Sequence, residues 1–443
     1  MINPNIFKAY DIRGIYPTEL NEETAQKIGS AFVTYTKTKQ VAIGRDMRLS
    51  SEVLFKSLAA GITSAGAEVV DLGLVPIDAV YFAVNRLNFD TGIMITASHN
   101  PKEYNGFKMI KKNGDSFDMI RGINIQETVE AHQELNEQDV ISQRDIMPEF
   151  ISYLLQTVDI EKIKPIKIVV DAGNGMAGKT IPLLEKHLPI KVESLFFDLD
   201  GSFPNHPSNP LDPESQKAIA ARIKETGAMA GFIFDGDSDR IFLVDENGNF
   251  IRGDITLIIL AEYLLSLPEN KGKGIAYNLL CSKSVEEFVN KMGGKAVRTA
   301  VGFVNVMHGL KDNNGILGGE VSGHYCFSQN GFADSGYIAW LIILVVLSQS
   351  SKPLSQIASE LSTYERCPET NITVPSKDEA IEKIKLHFST YQQDYLDGVT
   401  VYGDSWWLNV RGSNTEPLLR ITVEAKLKTE VEEKLEEILN ILK

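Results

Sequence analysis

A strand-helix-strand unit recurs three times along this chain, and that recurrence restricts the fold more than any single motif. The first copy begins at Val41-Ala42-Ile43-Gly44-Arg45-Asp46, continues through an amphipathic helix over Ser51 to Ser64, and returns as Gly66-Ala67-Glu68-Val69-Val70. The second begins at Ile168-Val169-Val170-Asp171, with a helix near Ile181 to His187 and a strand from Ile190 to Phe197. The third begins at Gly274-Ile275-Ala276-Tyr277, with a helix over Ser284 to Lys291 and then Gly293-Gly294-Lys295-Ala296-Val297. Strands alternating with helices predict parallel βαβ units. A chain of 443 residues, 43% hydrophobic and 23% charged, has the length for about three such globular domains.

Each copy ends in a further short strand that runs into a polar loop. Thr91 to Ile95 leads to Thr96-Ala97-Ser98-His99-Asn100-Pro101, Gly231 to Phe234 leads to Asp235 to Arg240, and Ile316-Leu317 leads to Gly318-Gly319-Glu320-Val321-Ser322-Gly323-His324. Open α/β sheets bind ligands at the carboxyl ends of their strands, so three equivalent loops are expected around one central cleft. The last segment differs. After Pro353, Pro368 and Pro375 come a helix over Asp378 to Thr390, strands at Trp406 to Val410 and Leu418 to Ala425, and a charged helix over Thr429 to Leu442. The expected fold is therefore three related α/β domains with mixed, mostly parallel sheets (1–150, 151–252 and 253–366) and a smaller α+β domain (367–443).

A formal net charge of −15 argues against a nucleic-acid or anionic-membrane partner, because either requires a net basic face. A phosphorylated substrate would need a locally basic pocket. Three cysteines without zinc spacing fit a reducing compartment. Met1 to Arg13 lacks the pattern of a signal peptide, and the apolar run Tyr337 to Leu347 is about half of the roughly 20 residues a membrane span needs. A cytoplasmic protein is expected, with that run as a buried helix. No heptad or isolated apolar stripe indicates an oligomeric state.

Asp235, Asp237 and Asp239 alternate along one loop between two strand-like segments. Carboxylates this close repel one another unless a cation lies among them, and a hard divalent ion such as Mg²⁺ takes oxygen ligands. A solvated acidic turn is the plain alternative. A calcium loop of the EF-hand type is excluded, because Arg240 stands where that loop requires glycine and helices are missing from its flanks.

Ser98 occupies, in the first copy, the place the aspartate loop occupies in the second, with His99 and Asn100 beside it. Ser, Asn and Pro favour turns, but a divalent ion next to Ser98 would stabilise a phosphoryl group on its hydroxyl. Arg411, Ser413, Asn414 and Thr415 offer a guanidinium fork, two hydroxyls and an amide, which suit a phosphate monoester. Glu320 and Ser322 suit a pair of sugar hydroxyls, and His324 is either a site residue or a satisfied structural histidine. One competing pattern is Gly173-Asn174-Gly175-Met176-Ala177-Gly178-Lys179-Thr180, which fits a nucleotide-binding loop after a strand. Pro182 falls where the first helical turn should settle, and that reading leaves Ser98, Glu320 and Arg411 without roles.

Thr96 to Pro101, Asp235 to Arg240, Gly319 to His324 and Arg411 to Pro417 resemble, in order and spacing, the four signature loops of the α-D-phosphohexomutases. Tyr10-Asp11-Ile12-Arg13-Gly14 and Asn105-Gly106-Phe107-Lys108 resemble further family segments, so the likeness spans nearly the whole chain. Glu320-Val321-Ser322 and Ser413-Asn414-Thr415 look like the phosphomannomutase and phosphoglucomutase branch. The resemblance implies a phosphate on Ser98, Mg²⁺ held by that phosphate and the three aspartates, and a hexose 1,6-bisphosphate intermediate between hexose 1- and 6-phosphates. It also implies that Arg13 and Lys108 line the phosphoserine side, that Arg240 supports the metal loop, and that Lys108 and His324 act as general acid and base. Gly173 to Thr180 then reads as the family's glycine-rich turn. A phosphosugar-binding protein without strong catalysis is the non-enzymatic alternative.

Three positions depart from the family pattern. Ser238 stands where most relatives have Gly, Leu280 where many have Lys or Arg, and Phe303 where many have His. Lys283 or Arg298 is expected to replace the charge missing at Leu280, or substrate affinity is weaker than usual. Mannose and glucose are not distinguished by Glu320 and Ser322.

Overall fold

The computed structural model describes residues 2–130, 141–413 and 418–442. Its contacts divide the chain into two compact units, one of Met1–Gly253 and Ser322–Ser355, the other of Asp254–Val321 and Gln356–Lys443.

In the first unit, one sheet runs Ile12–Ile15, Tyr104–Asn113, Thr91–Ile95, Gln40–Arg45, Glu68–Leu74, Ile141–Gln143, with Ser116–Ile120 pairing Tyr104–Asn113. Gln40–Arg45 is parallel to both Glu68–Leu74 and Thr91–Ile95, while Tyr104–Asn113 is antiparallel to its neighbours. The recurring unit thus supplies the parallel centre, and hairpins supply the antiparallel margin. Every residue of Thr91–Ile95 is buried, as expected of a central strand covered on both faces. Truncating fully buried Ile93 to Ala would cost roughly 2–5 kcal/mol.

Helix Glu22–Thr36 covers this sheet beside Ser51–Ser64. It starts where the Asn21 side chain accepts from the Thr24 backbone N–H at 3.0 Å, and it stops at Lys37, which takes a left-handed φ of 55°. The two helices meet at glycines: a Cβ on Gly61 would lie 1.9 Å from the Gln26 carbonyl, so any side chain there would force them apart.

A second sheet of the same unit runs Phe250–Ile251, Ile241–Val244, Ala230–Phe234, Ile166–Asp171, Ile190–Leu195. Ala230–Phe234 lies parallel to Ile166–Asp171 and antiparallel to Ile241–Val244, so the aspartate loop is the turn of a hairpin at the carboxyl end of a parallel strand. Helix Gly336–Gln349 is buried over nearly its whole length. Its apolar circumference is that of a core helix, and no single helix among the described residues is long and apolar enough to cross a membrane.

The second unit holds the third βαβ copy, with parallel strands Lys295–Thr299, Gly274–Asn278 and Gly315–Gly319 side by side. It also holds an antiparallel sheet ordered Glu365–Arg366, Leu418–Ala425, Trp406–Gly412, Val399–Tyr402, Gln392–Asp394, with Thr370–Thr373 also on Leu418–Ala425. Helices Lys377–His387 and Lys428–Leu442 pack on this sheet around Ile384, Leu408, Ile421 and Ile438. Three α/β layers and a helix-plus-sheet segment are the expected architecture. The second helix of the repeat begins earlier than its sequence suggests, at Ala177, because Pro182 is accommodated inside Ala177–Glu185.

Candidate active site

Strand Thr91–Ile95 delivers Ser98 into a buried polar cluster of the first unit. Ser98 is a non-glycine residue at φ 49°, a left-handed conformation that costs roughly 1–2 kcal/mol and needs surrounding contacts to hold it. Its backbone N–H donates to Thr96 Oγ1 at 2.9 Å. Its hydroxyl donates to Asp235 Oδ2 at 2.7 Å and accepts from Arg240 Nη2 at 3.1 Å, and His99 Nδ1 lies 3.4 Å away. Arg240 braces the acceptor, donating from Nε to Asp235 Oδ2 at 3.0 Å and from its backbone to Oδ1 at 3.2 Å.

Asp235, Asp237 and Asp239 are each at most 1% exposed, and each offers an oxygen within 4.8 Å of the others. Lys108 Nζ joins two of them, at 2.8 Å from Asp237 Oδ2 and 2.6 Å from Asp239 Oδ2. Oδ1 of Asp237 and Oδ1 of Asp239 accept no hydrogen bond although they are buried. Burial, then the charges of Asp239 and Asp237, push the Asp235 carboxyl well above the usual carboxylate range. Burial also acts on Asp239, but Lys108 and His324 outweigh it and hold that carboxyl low. Lys108 is buried too, yet Asp237 and Asp239 raise its ammonium well above the ordinary value. Three close carboxylates with unmet oxygens, only partly balanced by Lys108 and Arg240, fit a hard divalent cation.

Around this centre, Arg13 donates to Asn100 Oδ1 and to Asp11 Oδ2, each at 2.5 Å. His324 is bridged through its backbone to Arg240, and its Nδ1 lies 2.6 Å from Asp334 Oδ2 and 3.9 Å from Asp239 Oδ1. Ser98, His99, Lys108, Arg13, Arg240, His324 and the three aspartates are therefore close neighbours. Asp334 carried no signal in the sequence, and Thr96 lay in the Ser98 loop without a role of its own. Asp334 orients His324, and Thr96 Oγ1 donates to Asp237 Oδ2 at 3.2 Å.

In the second unit, Glu320 is buried and accepts from Asn278 Nδ2 at 2.7 Å and from the Gly302 N–H at 3.1 Å. Ser322, two residues on, is half-buried and belongs to the first unit. Arg411 engages different partners. Its Nη2 donates at 3.0 Å to Glu369, whose other oxygen accepts from Arg420 Nη1 at 3.0 Å. Arg411 and Arg420 face each other across the hairpin, and Lys377 Nζ donates to the Ser413 carbonyl at 2.8 Å. Two guanidiniums sharing one carboxylate, with an ammonium nearby, make an anion-binding arrangement. Arg420 was legible in principle, since the hairpin register pairs it with Arg411. Asn414 and Thr415 lie outside the described residues.

Lys283 and Arg298, the candidates for the charge missing at Leu280, line one cavity with Tyr277, Leu279 and Glu286. Arg298 is tied to Asp394 Oδ2 at 2.5 Å and Thr400 Oγ1 at 3.0 Å, and Lys283 is exposed. Arg366 donates from Nη1 to the Leu280 carbonyl, with its guanidinium over the Trp407 ring at 6.0 Å.

The nucleotide-loop pattern is occupied by structural contacts. The N–H groups of Gly173, Asn174, Gly175 and Met176 donate to Asp171 Oδ1, Phe196 O, Ala172 O and Gly236 O at 2.7–2.9 Å. Lys179 Nζ donates to the Leu74 carbonyl at 2.6 Å. The donors a phosphate would need are already spent.

Comparison with known proteins covers nearly the whole chain. Four family models match in chain order: phosphoglucomutase/phosphomannomutase alpha/beta/alpha domain I over residues 4–136, domain II over 148–248, domain III over 252–364, and the C-terminal domain over 369–441. Phosphohexose mutases of Xanthomonas campestris pv. campestris are 36% identical, covering 99% of each chain. A phosphomannomutase of Vibrio cholerae serotype O1 is 35% identical, covering 99% of this chain and 98% of its own. The crystal structure of a phosphoglucomutase/phosphomannomutase family protein from Burkholderia thailandensis superposes with a TM-score of 0.88 at 32% identity, covering 99% of this chain and 98% of that one.

Proposed function

Since the chain belongs to the phosphoglucomutase/phosphomannomutase family and is a hexose-phosphate mutase of the isomerase class, we propose that it interconverts hexose 1- and 6-phosphates through a phosphate on Ser98. Mannose and glucose phosphates are the proposed substrates, and a hexose 1,6-bisphosphate is the proposed intermediate and activator. The observation that carries this reading is the Ser98 hydroxyl set 2.7 Å from Asp235 within the aspartate cluster and braced by Arg240.

Asp235, Asp237, Asp239 and the phosphate on Ser98 would hold Mg²⁺, which supplies charge neutralisation at the transferring group when bound. Phosphoryl transfer breaks the bond between phosphorus and Ser98 Oγ and forms one to the free 6-hydroxyl of a hexose 1-phosphate. Of the two proposed acid-base groups, Lys108 stands as an ammonium that can only donate, so the hydroxyl proton passes to His324. In the return step the 1-phosphoryl group moves to Ser98 Oγ, and the departing oxygen at carbon 1 takes up a proton from the same pair. Arg13 supports the Ser98 loop through Asn100. Arg411 and Ser413, with Asn414 and Thr415 after them in sequence, are proposed to hold the phosphate that does not react, and Glu320 and Ser322 the sugar hydroxyls.

Intact-mass measurement tests the reading. One phosphate on the purified protein, mapped to Ser98 and discharged by mannose or glucose 1-phosphate with Mg²⁺, supports it. A protein that catalyses the interconversion without ever carrying phosphate on Ser98 refutes the phosphoserine route.

A further inference from the structure

Arg48 follows strand Gln40–Arg45, and its side chain is fully buried together with that of Asp46. A buried guanidinium is costly unless its donors are met. All four terminal N–H groups are spent on one segment of backbone. Nη1 donates to the carbonyls of Pro101 at 2.7 Å and Tyr104 at 2.9 Å, and Nη2 to those of Ser98 at 2.8 Å and Asn100 at 2.6 Å. Nε lies 3.3 Å from Asp46 Oδ2 without hydrogen-bond alignment, so that contact is Coulombic.

The assembly is fixed from outside the loop as well. Asp46 is itself held by Ser51 Oγ at 2.8 Å and by the Arg48 N–H at 3.0 Å. The Phe203 ring, from a different sheet's connection, lies 5.1 Å from the guanidinium carbon, and Gly201 passes so close that a Cβ would sit 2.5 Å from Arg48 Cα. Ser208 Oγ adds a donor to the Ser98 carbonyl at 3.2 Å. Carbonyls drawn to one cation are what a left-handed residue needs to stay in place, and Ser98 is that residue.

We propose that Arg48 is a positioning residue for phosphoryl transfer, gathering the carbonyls of residues 98, 100, 101 and 104 so that Ser98 Oγ points at Asp235. The inference rests on the reading of Ser98 as phosphoryl carrier. Lysine would keep the charge but offers three donors on a single nitrogen, which cannot span four carbonyls. An ångström of drift at Ser98 Oγ is enough to slow transfer by about 100-fold.

The test compares wild type, R48K, R48A and F203A with glucose 1-phosphate and Mg²⁺, with Ser98 phosphorylation followed by intact mass. R48K should fold, keep KM within about threefold and lose kcat by about 100-fold. Guanidinium ion at millimolar concentration should restore part of kcat in R48A and none in R48K. Wild-type kcat in folded R48K overturns the proposal, as does an R48A loss that guanidinium leaves untouched. If neither Arg48 variant folds, F203A decides: a kcat reduced several-fold at constant KM supports the positioning role, and an unchanged kcat overturns it. A wild-type protein that never carries phosphate on Ser98 instead sinks the phosphoserine reading, which separates the two failures.

Discussion

Ser98 and Asp235 are 137 positions apart in sequence, yet the hydroxyl of one donates to the carboxylate of the other at 2.7 Å. Two different sheets of the first unit supply them, each at the carboxyl end of a parallel strand. Ser98→Ala removes the hydroxyl and little volume. Turnover should fall by more than about 1,000-fold, because the proposed phosphoryl carrier is gone, while the thermal midpoint stays close to wild type. A coupled mutase assay beside a melting curve checks both, and activity within tenfold of wild type would contradict the phosphoserine route.

Glu369 neutralises Arg411 and Arg420 from within the chain. A substrate phosphate that takes those donors must displace it or share them. Glu369→Gln keeps the shape and removes the competing charge, so KM for hexose 1-phosphate should drop several-fold with kcat little changed. A raised KM would mean that Glu369 holds the arginines ready rather than competing for them.

Ser238 takes φ 69° in the aspartate loop. A left-handed serine is strained, whereas glycine adopts this φ freely but loses more entropy on folding. The balance favours Ser238→Gly by roughly 0.5–1 kcal/mol. Urea denaturation of the two proteins measures the difference, and a destabilised variant would show that the serine side chain contributes more than its backbone costs.

Asp235 gives a pH dependence whose sign is opposite to that of an ordinary ion-paired carboxylate. Burial and its acidic neighbours raise its pKa in the folded protein above the unfolded value of about 3.9. Between the two values the folded state binds the extra proton, so this group's contribution to stability falls as pH rises through that window. In EDTA, the stability of wild type minus that of Asp235→Asn should therefore decrease from pH 4 upward, and Mg²⁺ should reverse the loss at neutral pH. A difference that grows with pH in EDTA would contradict the raised pKa.

The sequence was most legible where one face or one short loop decided the matter. Helix Ser51–Ser64 ends where its pattern ends because burial of a single face sets it, and strand Leu418–Ala425 has the bounds read from its sequence, although its last five residues are all buried. The aspartate loop was legible because adjacent like charges demand a cation. Arg48, Asp334 and Glu369 were not, since a buried polar side chain is defined by partners far along the chain. Arg48 reaches residues 50 to 56 positions away and Glu369 one 51 positions away. The match of Gly173–Thr180 to a nucleotide loop, set aside from the sequence because it left Ser98, Glu320 and Arg411 without roles, has a related origin. Gly178 is needed to let the backbone at Phe197 pass within 2.1 Å of where a Cβ would stand, a demand indistinguishable in sequence from room for a phosphate.

The first unit closes only when Ser322–Ser355 returns to it, bringing the buried helix Gly336–Gln349 and the Asp334 that holds His324. During synthesis, then, some 250 residues must wait with an incomplete interior until a segment made much later emerges from the ribosome. A message that stops after Arg240 and before Asp334 yields a product that has every aspartate of the loop but lacks both the carboxylate that holds His324 and the buried helix Gly336–Gln349.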